Sequence, residues 1–217
     1  MRVTHVAPTP FGSNGLFGGG ERYPLELARA LAEYVECELI TFDRHSRVEY
    51  EPRGLRVRTL RALGFWGGHV AHPFAPGLLL ALRGAHIVHT HHMRSLPSRM
   101  AALSGRARHQ LLAVTDHGLP GSTWWGMLPR LFDAFLTVSA YSARELGAPP
   151  SRIRVIYGGA DPVRYVPDAS RSRRGVLFVG RLTPHKGVDR LLQALPESAY
   201  LRVVGSTGPG PAGRQRS

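Results

Sequence analysis

Short apolar runs of strand length alternate along the chain with amphipathic stretches of helical length. This alternation is typical of α/β folds, in which parallel strands are joined by crossover helices. Strands are predicted at 2–7, 36–42, 55–60, 86–91, 110–115, 135–139, 152–157, 175–182 and 200–205. Helices are predicted at 21–34, 76–83, 94–103, 127–132, 141–146 and 188–195. The expected fold class is therefore α/β with a parallel sheet.

The first predicted helix follows a long glycine-rich loop, residues 9–20. Its apolar side chains recur at helical spacing and predict one buried face. That face is expected to carry Leu27, Ala28, Leu31 and Tyr34. Pro24 is expected in the first turn, where the missing N–H of proline is tolerated.

A change in composition after residue 166 suggests two domains of unequal size. Residues 1–166 can form one complete domain, and the polar, arginine-rich segment 167–174 is predicted to be a linker. A second strand–loop–helix–strand unit at 175–205 is too small for an independent core. Residues 206–217 lack apolar periodicity and are predicted to be disordered. We therefore expect a chain whose second domain is cut short.

The composition is 43% hydrophobic, which is enough for a packed core, and the formal net charge is +13. Such a charge indicates an anionic partner: nucleic acid, anionic lipid headgroups or a phosphorylated small molecule. The arginines are spread along the chain, with a tight group only at Arg171, Arg173 and Arg174. Because no surface aromatics alternate with them, a nucleic-acid groove is not indicated.

The sequence shows no sign of export or membrane insertion. It opens directly on a strand without a basic-plus-apolar signal pattern, and no apolar run approaches about 18 residues. The expected location is the cytoplasm, with peripheral contact at the inner face of the membrane as an extension. The single cysteine, Cys37, excludes an internal disulfide and a cysteine-based zinc site, and is expected to be a small buried residue.

The chain has 27 arginines but only one lysine, Lys186, in the string G-R-L-T-P-H-K-G that also holds Gly180 and Arg181. This string joins a predicted strand to a predicted helix, which is where open α/β sheets bind ligands. A lysine ammonium is a compact point charge that suits a phosphate group. Arg181 and Lys186 could therefore both reach a diphosphate. No D-x-D pair occurs to recruit Mg²⁺, so fixed cations and helix N-termini must neutralise a diphosphate leaving group.

Glycines 18, 19 and 20 open the first predicted helix in the string L-F-G-G-G-E. Backbone amides without a neighbouring Cβ can approach an anion, and a flexible loop is the competing explanation. A dinucleotide site with Asp43 as the ribose ligand is disfavoured. The string lacks G-x-G-x-x-G, and about twelve residues separate the strand from the helix.

Four histidines, His86, His89, His91 and His92, lie on one predicted strand and at its end. His89 and His91 face the same side, which would permit shared metal ligation. Zinc sites usually combine ligands from separate elements, however, and no acidic or cysteine residue is nearby in the sequence. We expect these histidines to pack in the core or beside a ligand, with His91 and His92 bordering a pocket and no metal bound.

A second strand ends in T-D-H-G, residues 115–118. There His117 could hydrogen-bond a sugar hydroxyl or phosphate, or move a proton near neutral pH. A simple turn, with Asp116 capping the backbone and Gly118 supplying the bend, explains the string equally well.

Six strings of the sequence, taken in order, resemble the family 4 glycosyltransferases. They are G-G-G-E-R-Y-P-L-E-L-A-R-A-L, V-H-T-H-H, T-D-H-G, D-A-F-L-T-V-S, I-R-V-I-Y-G-G-A-D and V-G-R-L-T-P-H-K-G-V-D-R-L-L-Q-A-L. The resemblance spans residues 1 to about 205. It implies the GT-B architecture, here one complete Rossmann-like domain and the beginning of a second. It also implies transfer of a sugar from a nucleotide-diphospho-sugar with retention of configuration, and without a metal or other cofactor.

The resemblance also assigns roles to residues. Gly18, Gly19 and Gly20 would lie in the phosphate-proximal loop of the acceptor-side domain, with His91 lining the substrate site and His117 beside the donor sugar. Gly180, Arg181 and Lys186 would bind the diphosphate, the two cations stabilising its departure. Gly159 and Asp161 match the family string N-G-V-D, except that Gly158 replaces the asparagine.

The sequence departs from the family at its second domain, because it has no E-x7-E pair to hold the donor's ribose and sugar. The resemblance therefore implies a glycosyltransferase that is weak or inactive alone and is completed by a C-terminal polypeptide. The expected acceptor is a lipid-linked or cell-envelope glycan. A non-catalytic module with an acceptor-like cleft is the main alternative. A basic nucleic-acid-binding protein is a third, which would bind with a steep salt dependence.

Overall fold

A computed structural model describes residues 1–9, 19–117, 126–159, 162, 165–168, 170 and 174–205. The chain forms two compact units, Met1–Gly159 and Ala160–Ser217. No helix in the described part of the chain is long and apolar enough to cross a membrane.

The strands of the first unit are β1 Arg2–Val6, β2 Glu36–Asp43, β3 Arg47–Tyr50, β4 Arg56–Arg61, β5 Gly64–Phe65, β6 Pro73–Phe74, β7 Ile87–His91, β8 Leu111–Asp116, β9 Ala134–Thr137 and β10 Ile153–Val155. Eight of them form one sheet in the order β10-β9-β8-β7-β1-β2-β4-β3, and β5 and β6 form a separate pair. All neighbours in the large sheet run parallel except β3, which is antiparallel to β4. The predicted parallel α/β fold is confirmed.

The helices of this unit are α1 Gly19–Leu31, α2 Gly77–Ala81, α3 Leu96–Ala107 and α4 Ala140–Glu145. The helix predicted at 127–132 is instead a 3₁₀ turn, Leu128–Leu131, because Phe132 is already extended where the chain approaches β9. Serine side chains begin two of the α-helices: Ser95 accepts the N–H of Ser98, and Ser139 accepts the N–H of Ser142. These bonds satisfy amides that a helix start would otherwise leave unpaired.

Helix α1 differs from its prediction at both ends. It begins at Gly19, so Pro24 lies in the second turn and not in the first. At the other end Tyr34 lies beyond the helix and is 81% exposed, so its predicted place on the buried face is wrong. The packed face carries the buried Ala28 together with Leu25 and Leu31.

Two apolar clusters cover opposite faces of the sheet, as the alternation of side chains along a strand requires. The α1 face holds Val3, Ala7, Ala28, Cys37, Leu39, Leu55 and Val57. The other face is larger and includes Val6, Ile40, Phe42, Leu78, Leu82, Val88, Ala101, Leu112, Val114, Phe132 and Phe135. Cys37 is buried as predicted, and burial followed by the charge of Glu36 raises the pKa of its thiol to about 11.

A buried carboxylate joins the amino ends of β1, β2 and β4. The Glu38 side chain is only 2% exposed, with one oxygen 2.6 Å from Arg2 Nη2 and the other 2.9 Å from Arg58 Nε. Arg56 Nε lies 3.7 Å away. Because a buried charge is tolerated only when it is paired, the three guanidiniums hold this end of the sheet together through Glu38.

The second unit contains β11 Val176–Val179, α5 Val188–Ala194 and β12 Leu201–Val204, with the two strands parallel. The predicted strand–loop–helix–strand order at 175–205 is confirmed. None of the described side chains from 174 to 205 is fully buried, in keeping with a unit of this size. The domain boundaries at 166 and 174 stay predictions, and the tail at 206–217 lies outside the described residues.

Candidate functional site

Histidine side chains gather at the carboxyl ends of β1, β7 and β8. His5 on β1 lies opposite His89 on β7, and His91 lies opposite Thr115 on β8. Since residues two apart on a strand face the same side, these side chains share the face that α1 covers. His117 follows Thr115 by two residues, just after the end of β8. We call His5, His89, His91, His92 and His117 the imidazole cluster.

The inner part of the cluster is tightly packed and buried. His5 and His91 are fully buried, and His89 is 4% exposed. The ring centroids of His89 and His91 are 4.6 Å apart, and those of His5 and His89 are 5.0 Å apart. His5 Nδ1 lies 3.4 Å from His91 Nε2, while His89 Nε2 lies 2.8 Å from Thr115 Oγ1.

The outer part of the cluster surrounds His117. Its ring centroid is 4.9 Å from that of His92 and 5.9 Å from that of His91, which it stacks against. Tyr23 of α1 meets His117 edge-on at 5.1 Å. Helix α1 thus contributes an aromatic ring beside the histidine that the sequence singled out.

His92 adopts the left-handed backbone conformation, with φ of 62°. This region is uncommon for a residue other than glycine and costs about 1 kcal/mol or more. The turn is held because the His92 N–H donates to the Thr115 carbonyl at 3.0 Å and the Ser95 N–H donates to the His92 carbonyl at 2.9 Å. It brings the His92 ring into contact with His117 at the carboxyl end of β7.

Burial keeps the cluster uncharged at neutral pH. It lowers the pKa of His5, His92 and His117 to about 4 in each case, with neighbouring histidines adding to the effect at His117. The pKa values of His89 and His91 are also well below the usual range, first through burial and then through the adjacent imidazoles. Each neutral ring has one donor and one acceptor nitrogen.

Several of these nitrogens are unpaired within the described part of the chain. No described residue gives a hydrogen bond to His91 Nδ1, His92 Nδ1 or His117 Nε2, although all three atoms are buried. An unpaired buried polar atom costs about 1–3 kcal/mol. The three atoms lie at the carboxyl edge of a parallel sheet, which is where α/β folds bind their substrates. The hydroxyl groups of a ligand bound there could satisfy them.

The structure groups some predicted site residues and separates others. His91 and His117 lie together, Gly19 and Gly20 begin α1, and Gly18 lies outside the described residues. His86 is wrongly grouped with the other histidines. It precedes β7 at the opposite end of the sheet, where its Nδ1 accepts the Arg2 N–H.

Two residues of the site, His5 in the imidazole cluster and Tyr23 beside it, were not predicted from the sequence. His5 stands within an ordinary apolar strand, and only the pairing of β1 with β7 places it beside His89. Tyr23 lies just past the glycine run, and its helical spacing gave no reason to select it. The missing information is the register of β1 against β7 for His5 and the packing of α1 for Tyr23, since these decide which distant segments meet.

The predicted diphosphate ligands lie in the second unit, between β11 and α5. Gly180 follows β11 and its N–H donates to the Val204 carbonyl at 3.0 Å. A 3₁₀ turn, Pro184–Lys186, leads into Gly187, whose φ of 68° favours glycine. The Arg181 and Lys186 side chains are both exposed. The strand-to-helix position predicted for Lys186 is confirmed.

Of the residues that match the string N-G-V-D, Gly159 lies at the end of the first unit and Asp161 is outside the described residues.

We expect the free energy of unfolding to fall steeply between about pH 6.5 and pH 5. The histidines of an unfolded chain take up protons near pH 6.5, whereas His5, His92 and His117 stay neutral until about pH 4. The unfolded state therefore binds more protons as the pH falls, and each such histidine removes about 1.4 kcal/mol of stability per pH unit. Urea unfolding followed by circular dichroism, with a chelator present, measures this slope.

A matched pair of variants separates the cluster from other titrating groups. His5→Gln should reduce the slope by one proton, while Val70→Gln, at an exposed site without an ionisable side chain, should leave it unchanged. Carboxylates contribute mainly below about pH 5. A stability that is flat from about pH 7.5 to pH 5 would contradict the neutral cluster.

Comparisons with known proteins are consistent with one another. The profile of Glycosyltransferase Family 4 matches residues 17–164. A D-inositol 3-phosphate glycosyltransferase of Kineococcus radiotolerans is 28% identical across 96% of this chain and 60% of its own length. A GDP-mannose:cellobiosyl-diphosphopolyprenol alpha-mannosyltransferase of Xanthomonas oryzae is 28% identical across 93% of this chain and 57% of its own.

Solved structures resemble the chain in fold. A lipopolysaccharide outer core galactosyltransferase superposes with a TM-score of 0.60 at 15% identity, covering 95% of this chain and 61% of its own. MurG of Acinetobacter baumannii gives 0.52 at 13% identity, covering 94% and 57%. These matches cover more than 90% of this chain but only about 60% of the length of each matched protein.

Proposed function

The chain belongs to glycosyltransferase family 4, and on that premise we propose that it transfers a sugar from a nucleotide-diphospho-sugar to a glycan or lipid-linked acceptor. The observation that carries the proposal is the neutral imidazole cluster at the carboxyl edge of the sheet. It offers ring nitrogens to which no described residue gives a hydrogen bond, including His117 Nε2, at the edge of the sheet where α/β folds bind ligands. Sugar hydroxyls are the ligands that neutral donors and acceptors suit best.

His117 serves in this proposal as a hydrogen-bond partner of a substrate hydroxyl. Because the pKa of its imidazole is about 4, the ring is neutral at pH 7 and brings no positive charge to the reaction. Tyr23 and His92 pack against the ring and fix its orientation. His91 lies next to it and is proposed to be a second substrate contact. The glycines at 18, 19 and 20, which come just before Tyr23 in the sequence, are proposed to supply backbone amides.

The chemistry at the donor is assigned to the second unit. There Gly180 offers its backbone, and Arg181 and Lys186 bind the diphosphate and stabilise its negative charge as the glycosidic bond to it breaks. Fixed cations of this kind can provide what a metal provides in other transferases, because both neutralise developing charge. The chain has no D-x-D pair, which supports a diphosphate site without a metal. Retention of configuration belongs to the same proposal, and the resemblance to the family is what supports it.

The acceptor is proposed to carry phosphate. The names of the two relatives specify D-inositol 3-phosphate and a diphosphopolyprenol glycan, both of which are anionic. A formal net charge of +13 favours the approach of such molecules, and of an anionic membrane that contains them. We propose a cytoplasmic location with peripheral contact at the inner membrane face, and the positive charge supports the membrane contact.

Turnover is proposed to require more of the donor domain than these 217 residues provide. The chain has no E-x7-E pair to hold the ribose and sugar hydroxyls. A complementing polypeptide, or a fused donor half from a relative, would supply those contacts. Alone, the chain should bind nucleoside diphosphates weakly and transfer sugar slowly or not at all.

A transfer assay with two proteins tests the proposal. One is the chain alone, and the other is the chain joined to the donor half of the Kineococcus relative. With UDP- and GDP-sugars and inositol phosphate or polyprenyl diphosphate acceptors, the fusion should release nucleoside diphosphate and glycosylate the acceptor. Acceptor binding without transfer by the fusion would favour a non-catalytic module. Robust turnover by the chain alone would overturn the proposal that it lacks part of the donor site.

A further inference from the structure

Three buried histidines of the inner cluster can share one ligand. One ring nitrogen from each of His5, His89 and His91 lies within 4.8 Å of the others. The three come from two different strands, β1 and β7, which run parallel and pair directly. Sites that bind zinc usually take their ligands from separate elements in this way.

The distance between two of these nitrogens is close to that between two nitrogen ligands of one tetrahedral metal ion. His5 Nδ1 and His91 Nε2 face each other at 3.4 Å, which is long for a hydrogen bond between ring nitrogens. A tetrahedral ion with metal–nitrogen bonds of about 2.0–2.1 Å separates its ligand nitrogens by about 3.3 Å. The two rings therefore stand at the right separation with an ion between them.

The third histidine is oriented by its own hydrogen bond. His89 Nε2 lies 2.8 Å from Thr115 Oγ1, which leaves the other ring nitrogen, Nδ1, for the ion. Such a partner behind the ligand fixes the tautomer and the ring plane in metal sites. Thr115 is itself fully buried on β8, so the support is rigid.

The surroundings favour an ion over packing alone. The two nitrogens that face each other, His5 Nδ1 and His91 Nε2, are 3.4 Å apart, so neither gives the other a good hydrogen bond and both are poorly satisfied by the protein. The sequence argued against a metal because it offered only His89 and His91 on one strand, and His5 removes that objection.

We propose that His5, His89 and His91 bind a single borderline divalent transition-metal ion, of the Zn²⁺ class, between β1 and β7. Three neutral imidazoles suit Zn²⁺, Co²⁺, Ni²⁺ or Cu²⁺ and exclude Mg²⁺ and Ca²⁺, which require oxygen ligands. The ion ties the two central strands together and fixes His91, the ring that stacks on His117. It lies in the first unit and is independent of the diphosphate ligands in the second.

Metal binding by tag-free, chelator-treated protein tests the site directly. Co²⁺ should produce the visible ligand-field absorption of a low-coordinate nitrogen site, and Zn²⁺ should displace it with a stoichiometry of one ion per chain. Zn²⁺ should also raise the melting temperature, since an ion that binds only the folded state stabilises it. Mg²⁺ should do neither. A substoichiometric ion content with no Co²⁺ absorption would overturn the proposal.

Variants locate the ion. His5→Gln, His89→Gln and His91→Gln should each weaken Zn²⁺ binding by about 100-fold or more, whereas His45→Gln, at an exposed position, should not. Binding that survives in His5→Gln would place the ion elsewhere and refute the site. Should a variant fail to fold, imidazole nitrogen resonances of the unaltered chain decide the matter. Zn²⁺ must shift those of the three cluster histidines and leave His45 unchanged.

Discussion

Lys186→Ala is expected to lower kcat of the complemented enzyme by about 100- to 1000-fold, the loss typical of one group that stabilises transition-state charge. The ammonium is proposed to neutralise the diphosphate as it leaves, so its contribution is greatest when the bond to the sugar is breaking. Lys186 ends a 3₁₀ turn between β11 and α5 and its side chain is exposed. Steady-state kinetics of the fusion protein, together with nucleoside diphosphate binding by calorimetry, measure the effect.

Two further variants make this result specific. Lys186→Arg keeps the charge but replaces a compact ammonium with a planar fork, and should recover only part of the rate. Arg190→Ala removes another exposed cation, on α5, and should leave kcat within about two-fold because it acts only through screened long-range charge. Equal losses from Lys186→Ala and Arg190→Ala would show that general positive charge, and not this turn, binds the diphosphate.

Glu38→Ala is expected to cost about 3 kcal/mol of the free energy of unfolding. The carboxylate is almost completely buried between Arg2 and Arg58, at 2.6 and 2.9 Å. Removing it leaves positive charges together without their partner. The arginine side chains are 21–36% exposed and regain some water, so the loss belongs at the lower end for a broken buried pair. Urea unfolding at pH 7.5 provides the measurement.

Glu36→Ala is the control for this prediction. Glu36 is also on β2 and also approaches Arg2, at 3.5 Å, but its side chain is 70% exposed. Its removal should cost about 0.5 kcal/mol or less, as is usual for surface pairs. If the two alanine variants were equally stable, burial of Glu38 would not be what gives the pair its strength.

Strands and helices with a clear apolar pattern could be predicted from the sequence, and strands that are polar or only two residues long could not. The parallel strands of the large sheet are rich in apolar residues and were predicted, and Val188–Ala194 follows a clear helical period. The antiparallel strand Arg47–Tyr50 and the pair Gly64–Phe65 and Pro73–Phe74 were missed. They are polar or only two residues long, and pairing with a neighbour, not local propensity, makes them strands.

The candidate site was predictable only in part, for a similar reason. His91 and His117 stand at strand ends, where ligand contacts are expected, and they do lie together. Neither His5 nor Tyr23 carries any such local mark. Their place in the site depends on the β1–β7 register and on how α1 packs, which are long-range properties. The left-handed turn at His92 is likewise set by a hydrogen bond to β8.

The central place of β1 in the sheet governs the order in which a nascent chain can assemble. One side of β1 pairs with β2 as soon as about 45 residues have left the ribosome, and the cluster around Ala28 and Leu39 can form then. The other side must wait for Ile87–His91. Until then one edge of β1 has unpaired backbone N–H and C=O groups, and such an edge can pair with strands of other chains. Translation pauses that occur before Ile87–His91 has left the ribosome would therefore prolong the exposure of this edge to aggregation.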